Sequence, residues 1–303
     1  MKKFNRIVQR SLPDGKVSKV YPFHVCTEGK ENRVVCRDEE DLRVSHNFIP
    51  ICARRANVIV FADCELNTHM HSGILAANYQ DAVNFSYGYK LSYSKYFQNK
   101  YGKGTGIYNR TDSSPILLED EYHVRNAICY IVKNSLDVGF PPDKYKWSSY
   151  SSIFSNGAHL VNCRKLSSIS YREQRSLLKT GDNLSGCDWY VDEDGMILPS
   201  SYCDTEYSES AFSADPRYFL RVMGLTDDRR MEQLLVKDHL ESKSIKELID
   251  VAEERSRKRY GTDWEKLSFS EKIPIVKAIF YSTGASPAQL SRSLGLMKDK
   301  VLW

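Results

Sequence analysis

Apolar and polar positions alternate from Val20 to Cys26 and stop at Thr27-Glu28-Gly29, which predicts a strand closing in a turn. Asp38-Glu39-Glu40-Asp41 then opens a helical pattern that runs to Arg54-Arg55. Acids at the start and bases at the end suit the two poles of the helix dipole. The short apolar run Val58-Ile59-Val60-Phe61-Ala62 and the segment His69 to Ala76 predict two further strands. Tyr89, Tyr93 and Tyr96 recur at helical spacing within a predicted helix from Tyr79 to Lys100, followed by a glycine-rich loop from Gly102 to Gly106. Pro115 to Leu118 predicts a short strand and Glu119 to Lys133 a helix. This order, with its short connections, gives an α+β fold: an antiparallel sheet covered by helices.

From Ser151 to about Asp228 the pattern is irregular and rich in Ser, Asn, Asp and Gly. Phe212, Tyr218 and Phe219 nevertheless call for burial, so this stretch is expected to pack on the first domain and not to swing as a free linker. From Met231 the chain turns helical, with Ile245, Leu248, Ile249 and Ala252 on one face of a helix from Ser242 to Tyr260. Ser286-Pro287-Ala288-Gln289 reads as a helix start, with Ser as N-cap, Pro at the first helical position and Gln closing a capping box. Leu290, Ser291, Leu294, Gly295, Leu296 and Val301 then follow helix-turn-helix spacing. The recognition helix would be Met297 to Trp303, with Lys298 and Lys300 facing DNA; an ordinary helical hairpin is the plain alternative. The expected division is therefore 18–155, 156–228 as a connecting segment, and an all-α region over 229–303.

At 303 residues the chain is about two ordinary domains long, at roughly 150 residues each. Hydrophobic residues make up 41 % and charged residues 27 %, enough apolar surface for a core, which excludes disorder as the main state. A mean hydropathy of −0.49, with no apolar run of membrane-spanning length, excludes an integral helical membrane protein. The basic start Met1-Lys2-Lys3 has no apolar stretch behind it, so no secretory signal is read and a cytoplasmic location is expected. Eight cysteines without a CxxC pair then read as plain thiols and not as a disulfide frame or zinc site. A net charge of +4 permits nucleic-acid binding without demanding it.

His69-Met70-His71 is the first feature with chemical content. On a strand, residues two apart face the same way, so both imidazoles share one side and make a credible pair of metal ligands. The plain reading packs His69 in the core and leaves His71 in solvent. Tyr130 and Asn134, four apart on or just after the same predicted helix, share a face and offer a nucleophilic oxygen and a neutral oxygen ligand. A lone tyrosine among 19 is more often a packing residue. His24 reads more readily as a core histidine than as a DNA contact.

Several segments occur together in order: Phe23-His24-Val25 with Thr27 and Gly29, Arg110-Thr111-Asp112-Ser113, Tyr122 through Tyr130-Ile131-Val132-Lys133-Asn134, and Lys146-Trp147-Ser148-Ser149-Tyr150. With the His-Met-His strand, this series resembles the single-tyrosine HUH transposases, most of all the REP-associated tyrosine transposases and their insertion-sequence relatives. It covers about 21–154, half the chain. The family usually has Pro after the Asn, where Ser135 stands here, and M-P-N before the histidines, where Leu66-Asn67-Thr68 stands. The resemblance implies a ferredoxin-like HUH domain in which His69, His71 and Asn134 hold Mg²⁺ or Mn²⁺. Tyr130 would then cleave single-stranded DNA through a 5′-phosphotyrosine and rejoin it, with hairpin DNA as the partner and a homodimer compatible. Arg125 and Lys133 would neutralise substrate phosphates. A catalytically inactive DNA-binding regulator of the same descent is the alternative, and a replication-initiation or relaxase-type nickase a third reading.

Overall fold

A computed structural model describes residues 4–28, 34–102, 106–108, 114–155, 162–226, 245–283, 290 and 293–295. The 110–113 segment, most of the glycine-rich loop and most of the expected helix-turn-helix, including Lys298 and Lys300, lie outside these residues. Two compact units divide the chain at Met231.

The first unit is built on an antiparallel sheet. Strands β1 (Val8–Ser11), β2 (Val17–Glu28), β3 (Ile59–Glu65) and β4 (His69–Ala76) run in the order β1-β2-β4-β3, and β5 (Ile116–Leu117) pairs with β2 at Phe23 and His24. Helices α1 (Glu39–Arg55) and α2 (Tyr79–Tyr101) cover one face, and α3 (Glu121–Lys133) packs on β3 and β4. The fold is thus α+β, and from β2 to α3 its elements follow one another along the chain as the sequence pattern predicts, with β1 added before them. Strand β1 went unread because its four residues alternate without a strong apolar set.

Register decides which side chains share a face. Phe23, Val25, Met70 and Ile74 enter the core under α1 and α2. Their alternates on β2 and β4, His24, Cys26, His69 and His71, therefore face the other way, toward α3. On β3 the ladder shifts between Val60 and Ala62, so Phe61 bulges. Counting by two from Val60 would put Ala62 and Cys64 on its side; the bulge puts Asp63 and Glu65 there instead, opposite Ser72 and Met70.

Strand β3 is a sheet edge, and later segments of the first unit cover it. Glu65 N–H donates to the Trp147 carbonyl at 2.9 Å, and Asp63 N–H donates to the Ser149 hydroxyl at 2.8 Å. At the bulge, the Val60 carbonyl accepts from Asp204 N–H at 2.8 Å and the Phe61 carbonyl from the Ser208 hydroxyl. Backbone groups left over by an edge and a bulge must find partners, which is why residues 145–149 and 204–208 lie where they do. Around them the irregular stretch forms short helices: α4 (Tyr171–Leu178), α5 (Pro199–Tyr202), α6 (Thr205–Ala211) and α7 (Pro216–Leu225), with a two-stranded ribbon of β6 (Arg164–Lys165) and β7 (Tyr190–Val191). Phe212 and Phe219 are buried, their rings 4.9 Å apart.

Gly73 on β4 is required by this packing. A Cβ there would overlap the ring of Phe61, which is itself fully buried against Tyr207. Gly73→Ala is expected to cost about 1–3 kcal/mol through overpacking. In thermal denaturation followed by circular dichroism that is a fall in Tm of roughly 3–10 °C; an unchanged Tm would mean that the ring has somewhere to go.

The second unit has helices α8 (Ile245–Tyr260) and α9 (Phe269–Thr283). Leu248, Ala252, Trp264, Val276 and Ile279 form its core, which Leu290 and Leu294 join, and Gly295 adopts a left-handed φ of 65°. Among the described residues no helix is long and apolar enough to cross a membrane.

Candidate functional site

Three imidazoles and one phenol meet where α3 crosses the sheet. His69 and His71 come from β4, with ring centroids 4.7 Å apart and planes perpendicular. His24 on β2 lies opposite Gly73, so no side chain separates it from His71. The two rings stack at 5.2 Å, and His24 Nε2 shares a hydrogen bond of 3.1 Å with His71 Nδ1. Tyr130 sets its ring edge-on to His71 at 5.2 Å and to His24 at 6.4 Å.

Helix α3 presents Tyr130 there for local reasons. Asp120 caps its start by accepting from His123 N–H at 2.7 Å, and Glu121 and Lys133 suit the two dipole ends. Every residue from Asn126 to Val132 is buried, because the sheet covers one side of the helix and α6 and α7 the other. Tyr130 keeps only 7 % of its surface exposed and His71 only 1 %. Half-buried His69 and buried His71 reverse the plain sequence reading: residue 71 lies between Cys26 and Cys64 of the two flanking strands, while residue 69 opens the strand.

The remaining expected site residues are placed as follows. Asn134 caps the end of α3, is buried, and its amide nitrogen donates to the Tyr130 carbonyl at 2.8 Å. Arg125 donates to the Ala211 carbonyl at 3.1 Å and pairs with Glu121 at 3.6 Å. Lys133 donates to the Thr226 carbonyl at 3.3 Å. The Thr226 hydroxyl donates in turn to Asn126 Oδ1 at 3.2 Å, so residue 226 is tied to α3 one turn before Tyr130 and one turn after it. His24 joins the cluster although its alternation in sequence marked it only as a core position; the register of β2 against β4 was the missing information.

The histidine pair could offer one nitrogen each to a divalent cation, the ion that the sequence motifs imply. Thr68 Oγ1 lies 2.8 Å from His69 Nδ1, and His24 engages His71 Nδ1. Partners on both Nδ1 atoms make Nε2 the nitrogen each ring would turn to a cation, the arrangement that outer partners impose on metal-binding imidazoles. Among the described residues no group of three or more His, Cys, Asp and Glu side chains is placed to hold a metal.

The sheet's other face carries a second buried polar group. Glu65 accepts from the Tyr89 hydroxyl at 2.7 Å and lies near Cys36, while Tyr89 also bonds Ser45 at 2.7 Å. Burial pushes the Glu65 carboxyl well above the usual carboxylate range, and nearby Asp63 adds to the shift, while hydrogen bonds from Tyr89, Ser45 and Cys36 oppose it. The α1 end of this face is tied by buried Asp41, which accepts from the Tyr96 and Tyr101 hydroxyls and from Lys100 at 2.7–2.9 Å.

No family model matches the chain, and no curated protein matches it. Among solved structures it is similar to a REP-associated tyrosine transposase bound to a REP hairpin, with a TM-score of 0.36 and 13 % sequence identity, over 52 % of this chain and 88 % of that one.

Proposed function

We propose that this protein cleaves and rejoins single-stranded DNA, with Tyr130 as the nucleophile and His69, His71 and Asn134 as holders of Mg²⁺ or Mn²⁺. The observation that carries the reading is the convergence of Tyr130 from α3 with His69 and His71 from β4 on one sheet face, the rings of Tyr130 and His71 5.2 Å apart. The motifs shared with single-tyrosine HUH transposases gave the same residues from sequence.

In this reading the Tyr130 oxygen attacks a backbone phosphorus, and the bond from phosphorus to the 3′ oxygen breaks. The tyrosine keeps the 5′ phosphate as an ester. The proton lost by the phenol is balanced by the one gained by the departing 3′ oxygen. Rejoining reverses these steps with a 3′ hydroxyl as the attacking group. A free phenol, with a pKa near 10, is a weak nucleophile at neutral pH. A bound divalent ion would draw charge from the non-bridging phosphate oxygens and align the phosphate for in-line attack. The chain's own contribution is placement: the β4 strand fixes the two imidazoles, His24 and Thr68 orient them, and α3 holds the phenol against them. The 286–303 tail is proposed as a helix-turn-helix that holds the duplex part of a hairpin.

A DNA-binding role without cleavage is the second reading. It is favoured by the burial of Tyr130, only 7 % of whose surface is exposed to an arriving phosphate.

The test uses labelled hairpins with single-stranded flanks, drawn from the DNA around the gene, incubated with the full chain and Mn²⁺ or Mg²⁺. A denaturing protein gel should show covalently attached DNA that disappears with EDTA. Adduct formation untouched by chelation would remove the metal from the proposal, and tight hairpin binding with no adduct at any metal concentration would move it to the binding-only reading.

A further inference from the structure

The Lys146-Trp147-Ser148-Ser149-Tyr150 segment does more than seal the β3 edge. Beside it lies a cavity of about 450 Å³, within the range of roughly 300–1,000 Å³ usual for small-ligand sites. Phe140, Tyr145 and Trp147 supply its aromatic wall, Lys144 and Lys146 its positive charge, and Asn67 an exposed amide. All of these belong to the first unit.

The cavity lies close in sequence to the candidate site, and hydrogen bonds tie its walls to the segment after α3 and to β3. Asn67 stands two residues before His69, and Phe140 six residues after Asn134. A 3-10 turn over Asn134–Val138 follows α3; Gly139, at a left-handed φ of 79°, ends it, and Phe140 N–H donates to the Ser135 carbonyl at 3.0 Å. The Tyr145 hydroxyl donates to the Glu65 carbonyl at 2.7 Å, and the Trp147 carbonyl accepts from Glu65 N–H. A floor anchored to the sheet in this way is preorganised, and a ligand has little ordering cost to offset.

The chemistry of the wall selects the ligand. Phe140 is 51 % exposed and leans on Tyr145 with ring centroids 5.7 Å apart, so it offers a flat apolar face to solvent. Lys146 sits 4.5 Å over the Trp147 ring. Its ion pairs with Glu39 and Asp194, at 3.8 and 3.6 Å, and that of Lys144 with Asp143 at 3.6 Å, are long surface contacts of the kind that hold little energy. Aromatic faces interleaved with lysines are the elements that seat an unstacked base and its phosphate. A duplex, whose bases are stacked and paired, has no free base to place there.

We propose that this cavity takes one unstacked nucleotide of single-stranded DNA, its base against Phe140 and its phosphate beside Lys144 and Lys146. The inference rests on the reading of single-stranded DNA as the substrate, but not on tyrosine chemistry. Its test is fluorescence anisotropy of a labelled 12-residue oligothymidylate with the full chain. Phe140→Ala should weaken binding about tenfold, and Phe140→Trp should restore it, since only a flat aromatic face is required. Lys144→Ala should reduce the slope of log Kd against log salt by about 0.7, the share of one phosphate contact in a single strand. A blunt duplex of equal length should bind the parent and Phe140→Ala alike. Affinity of Phe140→Ala for the oligomer within twofold of the parent, or an equal loss for duplex, would overturn the proposal, as would a parent that binds no single strand. The adduct gel on the parent chain separates the two readings: a parent that forms no adduct yet depends on Phe140 for the oligomer keeps the nucleotide site and drops the nucleophile.

Discussion

Tyr130→Phe is expected to leave hairpin binding intact and to reduce the covalent protein–DNA adduct below detection. The substitution removes one oxygen and leaves the ring whose edge meets His71 and His24, so the packing around α3 survives. Loss of a nucleophile that acts as a unit with its activating groups commonly costs several orders of magnitude in rate, on the order of 10⁶ in a well-studied hydrolase. Gel analysis of adduct, run beside anisotropy with the same hairpin, separates the two effects. Wild-type levels of adduct from the Phe variant would place the nucleophile elsewhere among the 19 tyrosines. His69→Ala should lower adduct yield in a way that higher Mn²⁺ partly relieves, because one donor is lost and the other stays. His71→Ala is the less clean variant. It removes the 3.1 Å partner of buried His24, so lost stability would mix with lost metal.

Much of this arrangement is written locally in the chain. The acidic run at 38–41 marks the start of α1, where Asp38 does accept from Asp41 N–H, and the His-Met-His spacing alone puts both imidazoles on one face of β4. What could not be read is non-local. The place of His24 depends on β2 pairing with β4 in one register, which no window of sequence contains. The bulge at Phe61 reverses the parity of β3, and its signal, a glycine at position 73 making room for the ring, lies on another strand. Helices α5 to α7 were invisible because they are short, and what fixes them is demand from elsewhere: the free carbonyls of Val60 and Phe61 and the exposed side of α3. Arg125 and Lys133, read as phosphate contacts from their flanking positions, also reach carbonyls of that same covering segment. A helix surface that sequence presents as solvated can thus be an internal joint.

Glu65→Gln is expected to stabilise the protein, increasingly so as pH rises. The Glu65 side chain is buried among the hydroxyls of Tyr89 and Ser45 and the thiol of Cys36, and burial raises its pKa well above the ordinary value. A carboxyl whose folded pKa exceeds its unfolded one binds the proton more tightly in the folded state. Below the unfolded pKa both states are protonated, and there is no penalty. Between the unfolded and folded values, folding must retain a proton that the unfolded chain has released, so stability falls as pH rises. The slope in that window approaches about 1.4 kcal/mol per pH unit for one group. Glutamine keeps the size and the acceptor for the Tyr89 hydroxyl while removing the titration. Denaturant unfolding of parent and variant from pH 4 to pH 8 should therefore give curves that diverge upward from about the unfolded carboxylate pKa, with the variant the more stable at neutral pH. Parallel curves would mean that the carboxylate is stabilised in its charged form by the three donors around it. The sheet face beneath α1 and α2 would then hold a buried anion, and its hydrogen bonds, not its protonation, would keep β3 in register.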